Sequence, residues 1–170
     1  MNLQFYFEKL KESDSYKEFI SENPEAYFSG AFFIYDKATQ GKGDEQNIDF
    51  YIPEKKELVS FCLSNNCQKN PIEMIDKNYI PEKISDSIDF EFVKIEELLL
   101  KEMEKNNFGG DVHKFLFSLQ NLEGKNYILG SMFLPRLALV KFKIDLDEMK
   151  IIDFEKKSFF ELMNIKKKKE

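Results

Sequence analysis

One imidazole, two thiols and a large number of carboxylates are the side chains with which bond-breaking chemistry could begin in this sequence. His113 is the single histidine. A Ser-His-Asp or Cys-His arrangement would have to use it, as would most catalytic zinc sites. It follows Gly109-Gly110-Asp111 and opens a strand-like run, with no partner at a telling spacing, so it reads as a surface or strand-edge residue. Cys62 and Cys67 are the only cysteines, with four residues between them. A zinc knuckle asks for four ligands in closely spaced pairs, and only His113 and a carboxylate could complete this one. The simpler reading places Cys62 on a buried strand position and Cys67 in a loop, both as free thiols.

The acidic cluster Asp145, Asp147 and Glu148 lacks the glycine and the loop length of a calcium site, so it reads as a solvated hairpin turn. Gly41-Lys42-Gly43 lacks the spacing of a phosphate loop and a Ser or Thr after the lysine, and Gly109-Gly110 stands alone. No catalytic, cofactor-binding or metal-ligating residue is assigned from the sequence, and no cofactor is expected. These absences favour a non-enzymatic binding or regulatory module of unidentified partner. The rival is an enzyme or small-ligand carrier with a pocket between two halves, built from Asp or Glu and Tyr.

Charge narrows the partners. The chain of 170 residues carries a net charge of -6, whereas a general nucleic-acid binder needs a basic face to displace counterions from phosphates. The lysines at 166–169 form a basic tail that reads as a solubilising terminus. No basic segment followed by a long apolar run opens the chain, and no stretch approaches the ~18 apolar residues of a spanning helix. A cytoplasmic protein without membrane contact is the expectation. Arg136 is the only arginine among 25 basic residues, which reads as AT-rich codon usage rather than chemistry.

The elements that would position any site follow from periodicity. Leu3, Phe7 and Leu10 share a helical face, but Tyr16, Phe19 and Ile20 fall out of phase. A second helix must therefore restart at Ser13-Asp14 and stop at Asn23-Pro24. Residues 26–35 read as a strand, 48–52 as its partner and 57–63 as a third, joined through Gly41, Gly43 and the Pro53–Lys56 turn. Residues 64–87, rich in Asn and Pro, read as a loose linker, and Ile88, Phe90 and Phe92 as a short extended piece. Ile95, Leu98, Leu99 and Met103 mark a helix over 94–106, ended at Asn107–Gly110.

Strands are then expected over 114–120, 126–133, 137–144 and 149–154, with Pro135 breaking or bending the second. In the third, Leu139, Lys141 and Lys143 should face away from Val140, Phe142 and Ile144. A closing helix is expected over 158–163. Phe5, Tyr6, Phe7, Phe159 and Phe160 exceed one helical stripe, so the termini are expected to cover each other.

Helix followed by an antiparallel meander thus occurs twice: residues 1–63 form one half, 64–87 the linker and 88–170 the second half. The fold class is α+β, with both halves packed as one compact unit. In the second half, Val140–Asp145 followed by Glu148–Ile152 resembles the terminal hairpin of PepSY-type modules, which have a cystatin-like fold. The whole chain also resembles a group of small archaeal proteins through Glu22-Asn23-Pro24-Glu25-Ala26-Tyr27, Phe50–Lys56 and Gln120–Lys125. The PepSY resemblance implies peptidase inhibition or chaperoning. The strand edges fit peptide binding by strand addition, or a homodimer formed through an edge.

Overall fold

The computed structural model describes residues 2–76, 78–136 and 138–158. Helices α1 (Leu3–Glu12) and α2 (Asp14–Glu22) open the chain. The phase break is resolved at Ser13, whose backbone is extended and whose hydroxyl accepts from the Tyr16 amide. Four strands follow: β1 (Tyr27–Asp36), β2 (Glu45–Ile52), β3 (Glu57–Cys62) and β4 (Gln68–Ile72). Helix α3 (Phe92–Lys105) precedes β5 (Lys114–Leu122), β6 (Lys125–Leu134), β7 (Ala138–Asp145) and β8 (Lys150–Ser158).

All eight strands form one antiparallel sheet in the order β4-β3-β2-β1-β5-β6-β7-β8. Two four-stranded meanders therefore run outward from a central antiparallel pair, β1 and β5, in which Phe33 lies opposite Phe117. The neighbouring hairpins repeat one spacing: Phe33 pairs with Gln46 as Phe117 pairs with Gly130. The α+β class agrees with the sequence reading.

The helices cover one face. Phe7 meets Phe28, Phe19 meets Phe50 and Phe61, and Phe92 meets Phe33 and Phe117, all at ring-centroid distances between 4.6 and 5.9 Å. Such edge-on and tilted contacts add to the burial of large apolar area that drives the packing. On β7, Val140, Phe142 and Ile144 are buried on this face while Lys141 is exposed and Lys143 half-buried, the alternation expected from the sequence.

Several boundaries move for physical reasons. Residues 64–87 are not a plain linker: 68–72 add β4 to the sheet edge beside β3. Farther along, Ile84 is fully buried and its amide donates to the Phe28 carbonyl. The extended piece shortens to one bridge, Glu91 with Asn2, because Phe92 already begins α3. That helix ends not on glycine but on Asn107, which takes the left-handed conformation (φ 54°) while the Phe108 amide returns to the Met103 carbonyl. This satisfies carbonyls a helix end would otherwise leave open. Met149 also takes the left-handed conformation, at the β7–β8 turn (φ 49°). Ser158 belongs to β8, and the remainder of the expected closing helix, with Phe159, Phe160 and the lysines at 166–169, lies outside the described residues.

Candidate binding surface

None of the residues picked out for chemistry meets another in a catalytic arrangement among the described residues. His113 is exposed, and its backbone ties β5 to its surroundings by donating to the Phe133 carbonyl and accepting from Ala38. Cys62 is half-buried on β3 and Cys67 buried, both free. Asp145 is buried at the β7–β8 turn, where Oδ1 accepts from the amides of Asp147 and Glu148 at 3.0 and 3.2 Å. Lys125 stands 3.7 Å from its other oxygen. The acidic cluster is thus a self-capped turn. Among the described residues, no three His, Cys, Asp or Glu side chains gather as a metal site.

The surface features lie elsewhere, on the sheet face opposite the helices. Cross-strand register lays side chains there in rows. One row runs Phe32, Ser118, Leu129, Lys143 and Asp153 on β1, β5, β6, β7 and β8. The next runs Ile34, Leu116, Ser131, Lys141 and Glu155. Each row passes from an apolar side chain on β1, through lysine on β7, to carboxylate on β8. A shallow trough of about 390 Å³ lies over these rows. Gly130 keeps the sheet closely packed beneath it, since a Cβ there would meet the Leu116 carbonyl oxygen and the Phe142 ring.

The lysines of the trough keep their charge available. Lys143 Nζ sits 3.9 Å from the centre of the Tyr127 ring, and neither Lys141 nor Lys143 has a carboxylate at ion-pair distance among the described residues. Glu155 is instead held by Lys157 at 3.0 Å. Ser118 accepts from the Gln120 amide at 2.9 Å, which leaves its own O–H to point elsewhere.

Beside the trough, a further row holds Ser60, Asp49, Gly30 and Gln120. Ser29 bulges out of β1 here, which carries Gly30 opposite Asp49. Asp49 Oδ1 is sealed from solvent without a hydrogen-bond partner. Burial pushes its carboxyl up to about 6, and the Ser60 hydroxyl pulls weakly the other way.

A second cleft, also about 390 Å³, wraps the end of the β5–β6 hairpin between Tyr79, Ile80 and Tyr127. Glu82 fixes this end by accepting from the amides of Glu123 and Gly124 at 3.0 and 2.8 Å. The two edges of the sheet differ. β4 carries Pro71, which has no N–H to offer. β8 is longer, has no proline, and pairs with β7 without interruption from Ala138↔Ser158 to Lys143↔Asp153.

Sequence reading missed the open face. Lys141 and Lys143 were read as merely solvent-facing, and Asp49 was passed over inside Ile48–Ile52. The signal was present: an aspartate between Ile48 and Phe50 in an apolar strand must face away from the core. The unbroken apolar run Ala31–Tyr35 likewise leaves Phe32 and Ile34 on the uncovered side.

Among the described residues the architecture is thus an α+β layer of three α-helices on one eight-stranded antiparallel sheet. No family profile and no curated protein matches the chain. Its fold is similar to the crystal structure of a putative lipoprotein from Clostridium difficile 630. The TM-score is 0.55 at 12% identity, over 85% of this chain and 91% of that one. That likeness concerns the fold alone. No helix among the described residues is long and apolar enough to cross a membrane.

Proposed function

We propose that this protein is a non-enzymatic binding module that accepts an extended peptide along the outer edge of β8. The observation that carries the reading is the asymmetry of the two edges: proline interrupts the donors of β4, while β8 offers nine residues without one. Strand addition draws its affinity from main-chain hydrogen bonds and needs no nucleophile, metal or phosphate loop. The chain then consists of two cystatin-like halves joined at β1 and β5, with the segment that follows β4 connecting them. The PepSY resemblance adds peptidase inhibition or chaperoning as the kind of task, carried out in the cytoplasm. The same edge would serve a homodimer, and peptide would then compete with self-association.

The test is selection of peptides from a displayed library, followed by amide hydrogen exchange. Selected peptides should slow exchange along β8. Because N–H groups of successive strand residues point alternately in and out, one of Glu155→Pro and Lys156→Pro removes an outward donor and the other a ladder bond. The variant that keeps its thermal midpoint should lose peptide binding at least tenfold. Peptides that protect only residues remote from β8, or that bind the tolerated proline variant undiminished, would overturn the reading.

A second reading, a small-ligand protein with its pocket between the halves, draws on the trough, whose apolar end lies on β1 and β5 where the halves meet.

A further inference from the structure

We propose that the open face of the sheet is a binding site for a medium-chain acyl carboxylate, lying across the strands with its carboxylate at Lys141 and Lys143. This site is separate from the outer edge of β8 and does not depend on strand addition there. The argument begins with the polarity of the two rows. Their β1, β5 and β6 positions supply Phe32, Leu116 and Leu129 as an apolar floor, and their β7 positions supply two ammonium groups side by side on one face. A ligand matched to that gradient has an apolar body and an anionic end, in that order, running perpendicular to the strands.

Charge decides which ligand fits. Among the described residues, Lys141 and Lys143 face the trough without carboxylate partners at ion-pair distance, and Glu155, which could neutralise Lys141 across the β7–β8 pair, is drawn away by Lys157. Asp153 remains as one negative group beside two positive ones. An incoming carboxylate therefore meets net positive charge on a protein whose total charge is -6. A half-buried cation beside an apolar floor, such as Lys143, discriminates more sharply between anion and neutral ligand than a cation in open water. The Ser118 hydroxyl, already accepting from Gln120, has its donor free for the ligand.

Length follows from sheet geometry. From β7 to β1 the trough crosses three inter-strand gaps, roughly 14 Å at the usual strand spacing, which suits an extended acyl chain of about ten carbons.

Calorimetric titration of the full chain with decanoate, decanol and decyltrimethylammonium, each below its micelle concentration, tests the proposal. Decanoate should saturate at one per chain and bind at least tenfold more tightly than either of the others. Hexanoate should bind more weakly than decanoate. In a Lys141→Gln, Lys143→Gln double variant with an unchanged thermal midpoint, decanoate and decanol should bind alike. Equal affinity for decanoate and decanol on the unmodified protein, or an undiminished decanoate preference in the double variant, would sink the idea. So would sedimentation with phosphatidylglycerol vesicles in the absence of saturable decanoate binding, which would make the face a membrane-contact surface instead.

Discussion

The ring of Phe142 fills the space that a side chain at position 130 would occupy. A Cβ built on Gly130 would overlap Phe142 Cζ and the Leu116 carbonyl oxygen. The sheet therefore closes at β5–β6–β7 only with glycine in the middle and phenylalanine beside it.

Gly130→Ala should destabilise the protein by about 2–3 kcal/mol through overpacking, and Phe142→Ala by roughly 3–5 kcal/mol through the cavity it leaves. The two are in contact, so their effects should not add. The double variant should recover part of the Gly130→Ala cost but not all, because the Leu116 carbonyl remains. Denaturant titration of the four proteins measures the coupling, and strict additivity would show that the ring does not fill that space.

Lys143 stands next to Phe142 in sequence and on the other face. Its ammonium rests over Tyr127 in a half-buried setting, a contact worth about 0.5–1 kcal/mol. Lys143→Ala should cost about that much, and Lys141→Ala, exposed and without a ring beneath it, less. Thermal unfolding of both variants under one set of conditions checks the order.

Asp49 should make stability fall as pH rises. Its carboxyl titrates near 6 in the folded chain, against about 3.9 when unfolded. The folded state therefore holds a proton that the unfolded state has released between those values. Its contribution is fully present below pH ~4 and is lost as pH climbs through about 6. Asp49→Asn should match the parent near pH 4 and exceed it at pH 7 by up to ~3 kcal/mol. A variant that gains nothing at pH 7 would mean that the carboxylate finds a partner or water when charged. Asp36 works in the opposite sense. The hydrogen bond from Lys114 holds its carboxyl below the usual range, so its contribution is present above pH ~4 and lost as pH falls further.

Limited proteolysis should cut first within 73–80. Ile75 is fully exposed, and Tyr79 and Ile80 are more than half exposed, whereas 68–72 are paired in the sheet and Ile84 is buried. The nicked fragments should remain together on size-exclusion chromatography, because β1 and β5 join them through seven paired positions. Early cuts inside β7 or β8 would contradict the sheet order.

Local grammar was legible wherever one side chain dictates one geometry. Ser13 could be read as a cap because the apolar phase breaks there, and Asn23-Pro24 as a stop because proline forbids a further turn. The alternation of Val140, Phe142 and Ile144 with lysines fixed which way β7 faces. Long-range consequences were not legible. Strand β4 has almost no buried side chain of its own and exists because β3 offers it an edge. Asp49 is costly only because the neighbouring strands enclose it, a fact residing in Gly30 and Ser60 rather than in its own segment. Asn107 and Met149 adopt left-handed backbones that side-chain preference alone would have given to glycine.

The central pairing of β1 with β5 also sets how the chain assembles in time. Every other strand pair joins neighbours along the chain through a short turn, so each meander can zip from its own hairpins. The β1–β5 seam must instead bring together residues as far apart as Phe33 and Phe117, and such closures come late and slowly. Before that step, each meander presents an inner edge that fits the corresponding edge of another chain equally well. At high concentration, refolding should therefore yield some dimers in which halves are exchanged between chains, with the 73–80 segment as the hinge.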